Sequence, residues 1–134
     1  GRRPPRPDAP AWTAEKLFDL FPNLRAMPQR PGGRMSGGEQ QMLAVARTLM
    51  GNPRLMLLDE PSEGVAPLIV EQMAAMIATL KKEGLAVLLS EQNLPFAAAV
   101  SDRACVLEKG QLRFAGTMAQ LDADEALRRR YLGI

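Results

Sequence analysis

The chain predicts an α/β fold, a parallel sheet flanked by helices and followed by a C-terminal β-hairpin and short helices. Three observations carry that expectation. The apolar runs Leu55-Met56-Leu57-Leu58-Asp59 and Leu85-Ala86-Val87-Leu88-Leu89-Ser90 have strand length, and a helix-period segment separates them. A further helical stretch and a third strand-like run follow, which is the spacing of βαβ crossovers. Lys109-Gly110 then sits as a turn between two strand-like runs, 103–108 and 111–115, and marks an antiparallel hairpin.

The elements follow in order. Residues 1–12 are rich in proline and arginine and read as a flexible or extended lead-in. Thr13 is placed to cap a short helix through Leu20, with Trp12, Leu17, Phe18 and Phe21 as its apolar side. Five prolines and glycines (Pro22, Pro28, Pro31, Gly32, Gly33) make 22–35 an irregular loop. From Gly38 the period is helical, with Met42, Leu43, Ala46, Leu49 and Met50 as the stripe and Gly51-Asn52-Pro53 as the stop. The run 55–59 reads as a strand buried on both faces. A helix over 67–82 carries Ile69, Met73, Met76, Ile77 and Leu80, and Gly84 ends it. The run 85–90 is a second buried strand, a helix covers 94–101, and short helices fill 117–131.

Composition narrows the function. The chain is 46% hydrophobic and 24% charged, the balance of a globular domain, with a net charge of only +2. Aromatics make up 4%, too few for base-stacking platforms, so no nucleic-acid partner is expected. There is no histidine, which excludes histidine-based triads and histidine-ligated zinc. Cys105 is the only cysteine, and its apolar run predicts a buried, inert thiol in a reducing compartment. No apolar run approaches the roughly 20 residues that cross a bilayer, and no signal peptide is expected.

Two segments carry chemistry. Ser36, Gly37 and Gly38 have little or no side chain and open directly into a helix. A phosphate could approach their backbone and meet unpaired N–H groups at the positive end of the helix dipole. Ser36 adds a hydroxyl, as N-cap or as phosphate ligand. A capped turn alone would explain these three residues; the strand ending in Asp59-Glu60 downstream is what argues for more. Such a strand end delivers two carboxylates to the edge where open α/β sheets bind ligands. Nowhere does the chain contain the Gly-x-x-x-x-Gly-Lys-Ser/Thr loop that cradles phosphates.

Met35-Ser36-Gly37-Gly38-Glu39-Gln40-Gln41 and Leu55-Met56-Leu57-Leu58-Asp59-Glu60-Pro61 together resemble the signature motif and Walker B strand of ATP-binding cassette (ABC) ATPases. The resemblance runs from about Gly33 to the C-terminus. It implies a partial P-loop NTPase (ABC ATPase) fold. Residues 13–134 would be the C-terminal part of a nucleotide-binding domain, with the helical and signature region at 13–50 and the Walker B strand, D-loop and switch at 51–134. In that family the signature turn of one cassette closes over ATP on the P-loop of another, so Ser36, Gly37, Gly38, Glu39 and Gln40 would bind nucleotide in trans. Asp59 would hold Mg²⁺ through water, and Glu60 would polarise the attacking water. Ser62-Glu63-Gly64-Val65-Ala66-Pro67 occupies the D-loop place, with Ala66 where many relatives have aspartate. Gln92 aligns with the histidine that senses the γ-phosphate; its amide still donates a hydrogen bond but carries no charge.

Asp59-Glu60-Pro61-Ser62 running to Ala66-Pro67, Glu91-Gln92-Asn93 and the closing Tyr131-Leu132-Gly133 look like the second ATPase subunit of branched-chain amino acid (LIV-type) importers. That implies ATP and Mg²⁺ as cofactors and a second ATPase subunit, homo- or heterodimeric, docked head to tail. It also implies transmembrane permease subunits and, indirectly, a periplasmic or extracellular solute-binding protein. The expected place is cytoplasmic, peripheral on the inner face of the membrane. The P-loop is expected upstream of Gly1, and the isolated chain is expected neither to bind ATP tightly nor to hydrolyse it. The alternatives are a truncated, non-catalytic cassette serving as an interaction module and a DNA-associated ABC ATPase, which the missing coiled-coil heptads argue against.

Overall fold

The computed structural model describes residues 2–133. Two compact units divide the chain, one ending at Asn93 and the other starting at Leu94.

In the first unit, helix α1 spans Ala14–Leu20, and Thr13 caps it by accepting a hydrogen bond from the Lys16 N–H. Residues 22–35 are more regular than their prolines predict. A one-turn helix α2 spans Pro22–Arg25, and a 3₁₀ turn covers Gly32–Arg34. Pro22 occupies the first helical position, where its missing N–H costs nothing and its fixed φ already suits a helix. Residues 2–12 have no regular secondary structure but are tied down at both ends. The Arg3 N–H donates to the Met50 carbonyl, and the buried Asn52 side chain donates to the Arg3 carbonyl and accepts from the Trp12 N–H.

Helix α3 runs over Gly37–Leu49, strand β1 over Leu55–Asp59, helix α4 over Pro67–Lys82 and strand β2 over Ala86–Ser90. β1 and β2 pair in parallel from Leu55 opposite Ala86 to Asp59 opposite Ser90, with α4 as the crossover. The core gathers Met42, Val45, Ala46 and Leu49 of α3, Met56 and Leu58 of β1, and Met73, Met76, Ile77 and Leu80 of α4. Side chains of this size contribute about 1.5–3 kcal/mol each when fully buried. Val45, absent from the expected stripe of α3, takes the inward place, while Leu43 is exposed.

The expectation of strands buried on both faces is corrected. On β1 exposure alternates: Met56 and Leu58 are buried, whereas Leu57 is 68% exposed, as is Leu88 of β2 at 62%. A continuous apolar run conceals this alternation, because successive side chains of a strand point to opposite faces whatever their chemistry.

The second unit begins with helix α5, Leu94–Val100. Strands β3 (Arg103–Glu108) and β4 (Gln111–Thr117) form an antiparallel hairpin with a register shift between Val106 and Leu107. Both turn residues, Lys109 and Gly110, have positive φ, as the tight two-residue turn of a right-twisted hairpin requires. Among the described residues β3 pairs with β4 and with no other strand. Cys105 is exposed, which corrects the expected buried thiol: Val106 takes the inward place on β3 and turns its neighbour outward. Helix α6 (Met118–Ala123) starts from a capping box between Thr117 and Gln120. Helix α7 (Glu125–Leu127) and a π-helical turn (Arg128–Leu132) follow.

Candidate functional site

The N-terminus of α3 is built by local bonds. Ser36 is its N-cap: the hydroxyl accepts from the Glu39 N–H at 3.3 Å, and the Glu39 carboxylate accepts from the Ser36 N–H at 2.7 Å. This reciprocal capping box satisfies two donors that a helix start otherwise leaves unpaired. The Ser36 backbone N–H, followed by its hydroxyl, holds the Glu39 carboxyl below its ordinary value. Glu39 is therefore placed as a cap. Gln40 turns backwards, donating to the carbonyls of Gly32 (3.1 Å) and Met35 (3.2 Å), and so braces the 3₁₀ turn that leads into the motif.

The two glycines differ. A Cβ at Gly37 would meet nothing within 4 Å, whereas a Cβ at Gly38 would press on the Ile69 side chain of α4 at 3.0 Å. Close packing of α3 on α4 thus accounts for Gly38 within the chain, and Gly37 is the one with open space above it. Ser36 and Gly37 are exposed and Gly38 half-buried, so the motif stands on the surface.

The second group lies at the carboxyl ends of β1 and β2. Asp59 ends β1 and is exposed. Glu60 follows with φ of +43°, and its N–H donates to the Ser90 carbonyl at 2.8 Å. That bond continues the parallel ladder one residue past the strand while the left-handed backbone turns the chain away. Gln92 donates from its side-chain amide to the Glu60 carboxylate at 2.5 Å, so the structure brings the expected water-polarising residue and the expected switch residue into direct contact. Glu63 lies beside them. A hydrogen bond with Glu60 and the Glu60 charge, with smaller repulsion from Glu91 and Asp59, raise its carboxyl above the ordinary value.

Two linking residues have no role in the sequence reading. Gln41 donates to the Pro61 carbonyl at 2.9 Å and ties α3 to the loop after the carboxylates. Glu91 accepts from the backbone N–H groups of Gln92, Asn93 and Ser62. The available signal for Glu91 is local: an acidic residue just after a strand end can cap the backbone N–H groups that follow it. Its reach to Ser62 had no signal, since 29 residues intervene.

The oxygen donors at this edge suit a hard divalent cation such as Mg²⁺. Among the described residues no set of three or more acidic, histidine or cysteine side chains is arranged to hold one. Among those residues, also, no helix is long and apolar enough to cross a membrane.

Residues 7–63 match the family model described as ABC transporter. The chain is similar to the high-affinity branched-chain amino acid transport ATP-binding protein BraG of Pseudomonas aeruginosa, with 47% identity over 89% of this chain and 51% of that protein. It is also similar to the lipopolysaccharide export system ATP-binding protein LptB of Haemophilus influenzae, with 36% identity over 90% of this chain and 49% of that protein. A crystal structure of a nucleotide-free ATP-binding cassette from an ABC transporter superposes with a TM-score of 0.76 at 26% identity, over 90% of this chain and 49% of that one. The chain spans about half the length of the curated relatives it matches.

Proposed function

We propose that this chain, whose residues 7–63 match the family model described as ABC transporter, is the signature-bearing part of an ATP-binding subunit that couples ATP binding and hydrolysis to uptake of branched-chain amino acids or a related solute. The observation that carries the reading is the pairing of a surface-exposed, capped helix start at Ser36-Gly37 with a carboxylate edge in which Gln92 touches Glu60. Open space above Gly37 lets a phosphate reach the backbone N–H groups at the start of α3. The phosphate belongs to ATP seated on the P-loop of a second ATPase subunit.

Asp59 would help hold Mg²⁺, which when bound would neutralise charge on the phosphates. Glu60 takes up the water proton, and Gln92 both orients the Glu60 carboxylate and offers an uncharged donor toward the γ-phosphate. Closure of the two subunits is a population shift passed to the permease. The higher identity to the branched-chain amino acid protein, together with Glu91-Gln92-Asn93 and the Ala66-Pro67 loop, favours import over lipopolysaccharide export.

A mixing experiment tests this. A complete branched-chain amino acid transport ATP-binding protein, its own signature serine replaced by arginine, is combined with the chain, ATP and Mg²⁺. Association that requires ATP and is lost with Ser36→Arg is the expected result. No ATP-dependent association, or association indifferent to Ser36→Arg, overturns the reading.

A further inference from the structure

We propose that Glu91 is a positioning residue that clamps the loop following the carboxylate pair to the switch loop, making the two move as one body. Its Oε2 accepts from the Ser62 N–H at 3.2 Å, and its Oε1 accepts from the N–H groups of Gln92 and Asn93, both at 2.9 Å. One carboxylate therefore holds three backbone donors from two segments. All three donors lie beyond the paired residues of β1 and β2.

The clamp spans the pair already described. Glu60 precedes Ser62 by two residues, and Gln92 follows Glu91 directly. The Glu60–Gln92 side-chain bond thus forms the second rung of a two-rung bridge between the strand ends, with the Glu60 N–H bond to the Ser90 carbonyl below it. With the Glu91 rung in place, a shift of Ser62 is felt at the backbone of Gln92. Without it, the contact between Gln92 and Glu60 rests on two long side chains alone. Ionised acceptors make stronger hydrogen bonds than neutral ones, so a carboxylate suits this place better than an amide.

The functional weight of the two loops rests on the reading above, whereas the clamp itself is measurable without nucleotide. Residue-resolved amide exchange and the Gln92 side-chain amide resonances are recorded for the wild-type chain, Glu91→Asp and Glu91→Ala. Aspartate is shorter by one methylene: it keeps two acceptor oxygens within reach of its own Gln92 and Asn93 amides but falls short of Ser62. In Glu91→Asp the Ser62 amide is expected to exchange about tenfold faster or more, the scale of a lost charge-assisted bond, with Gln92 and Asn93 still protected. In Glu91→Ala all three lose protection, and the Gln92 side-chain signals move. Unchanged exchange at Ser62 in Glu91→Asp overturns the clamp and leaves a local cap. Unmoved Gln92 side-chain signals in Glu91→Ala overturn the positioning role. Glu91 is half-buried at the surface, and Glu91→Asp carries the test should the alanine variant fail to fold. Failure of ATP-dependent association in the mixing experiment would overturn the functional reading alone.

Discussion

The start of α3 and the carboxylate edge differ in how they are held. The Ser36–Glu39 box and the brace by Gln40, which shape the helix start, join residues within eight positions of one another, and Gln41 alone of this motif reaches further, to Pro61. The carboxylate edge depends on bonds across about thirty positions, Glu60 with Gln92 and Ser62 with Glu91. A local motif keeps its geometry wherever its own few residues fold. An edge assembled from two strand ends keeps its geometry only while the sheet and its covering helices are intact.

The strongest challenge to that contrast lies beneath the carboxylates. Met56→Ala on β1, at a fully buried position, is expected to cost about 2–5 kcal/mol, whereas Leu57→Ser on the exposed face should stay within about 0.5 kcal/mol. Denaturant unfolding of both variants checks this, and equal losses would break the account of a sheet supported from one side. Gly38→Val comes next, since its added bulk meets Ile69. Overpacking of this kind costs about 1–3 kcal/mol, and Gly37→Ala should be near neutral by the same measurement. Ser36→Ala removes the cap of α3 and is expected to cost about 1 kcal/mol, read as a lower unfolding midpoint with little change at the Glu60–Gln92 contact.

The smallest effects are in pH. The Glu63 carboxyl is raised from its ordinary value of 4.5, so its protonated form is favoured in the folded chain. Folding stability from this group is full below 4.5 and lost as pH rises through the folded value. Glu63→Gln is therefore expected to be slightly stabilising at pH 7 and to make no difference in stability well below 4.5. Glu39 has the opposite sign: its lowered carboxyl contributes above 4.5 and loses that contribution as pH falls through the folded value. Thermal melts of Glu63→Gln and Glu39→Gln across that range sharpen the contrast between a self-satisfied cap and a crowded acidic edge.

The same contrast explains what could be read from the sequence. Helix α4, both hairpin strands, the Lys109-Gly110 turn and the caps at Thr13 and Ser36 are recorded in periodicity and in residues a few positions apart. The exposed faces of β1 and β2 are not, because Leu57 and Leu88 are as apolar as the buried Met56 and Leu58. Leucine alone does not say which side of a strand is covered. The helix α2 hides behind prolines that usually signal loops, although Pro22 stands where a helix accepts it. At the site, Ser36, Gly37, Asp59 and Glu60 are legible by type and place. Gln92 stands out only through its resemblance to a switch position, and its contact with Glu60 exists only in the fold. Gly38 is the instructive case: a glycine read as room for a phosphate also sits close against the isoleucine behind it.

Asn52 deserves its left-handed backbone, at φ of +50°, for a reason outside the strand it precedes. Its carboxamide is 1% exposed and is held by main-chain groups of Arg3 and Trp12. The arginine- and proline-rich stretch, itself largely exposed, is therefore a strap pinned to the unit at Arg3 and Trp12. A protease that trimmed it would leave an interior amide bereft of both companions, and the first wound would open just past the carboxyl end of α3 rather than at the severed end.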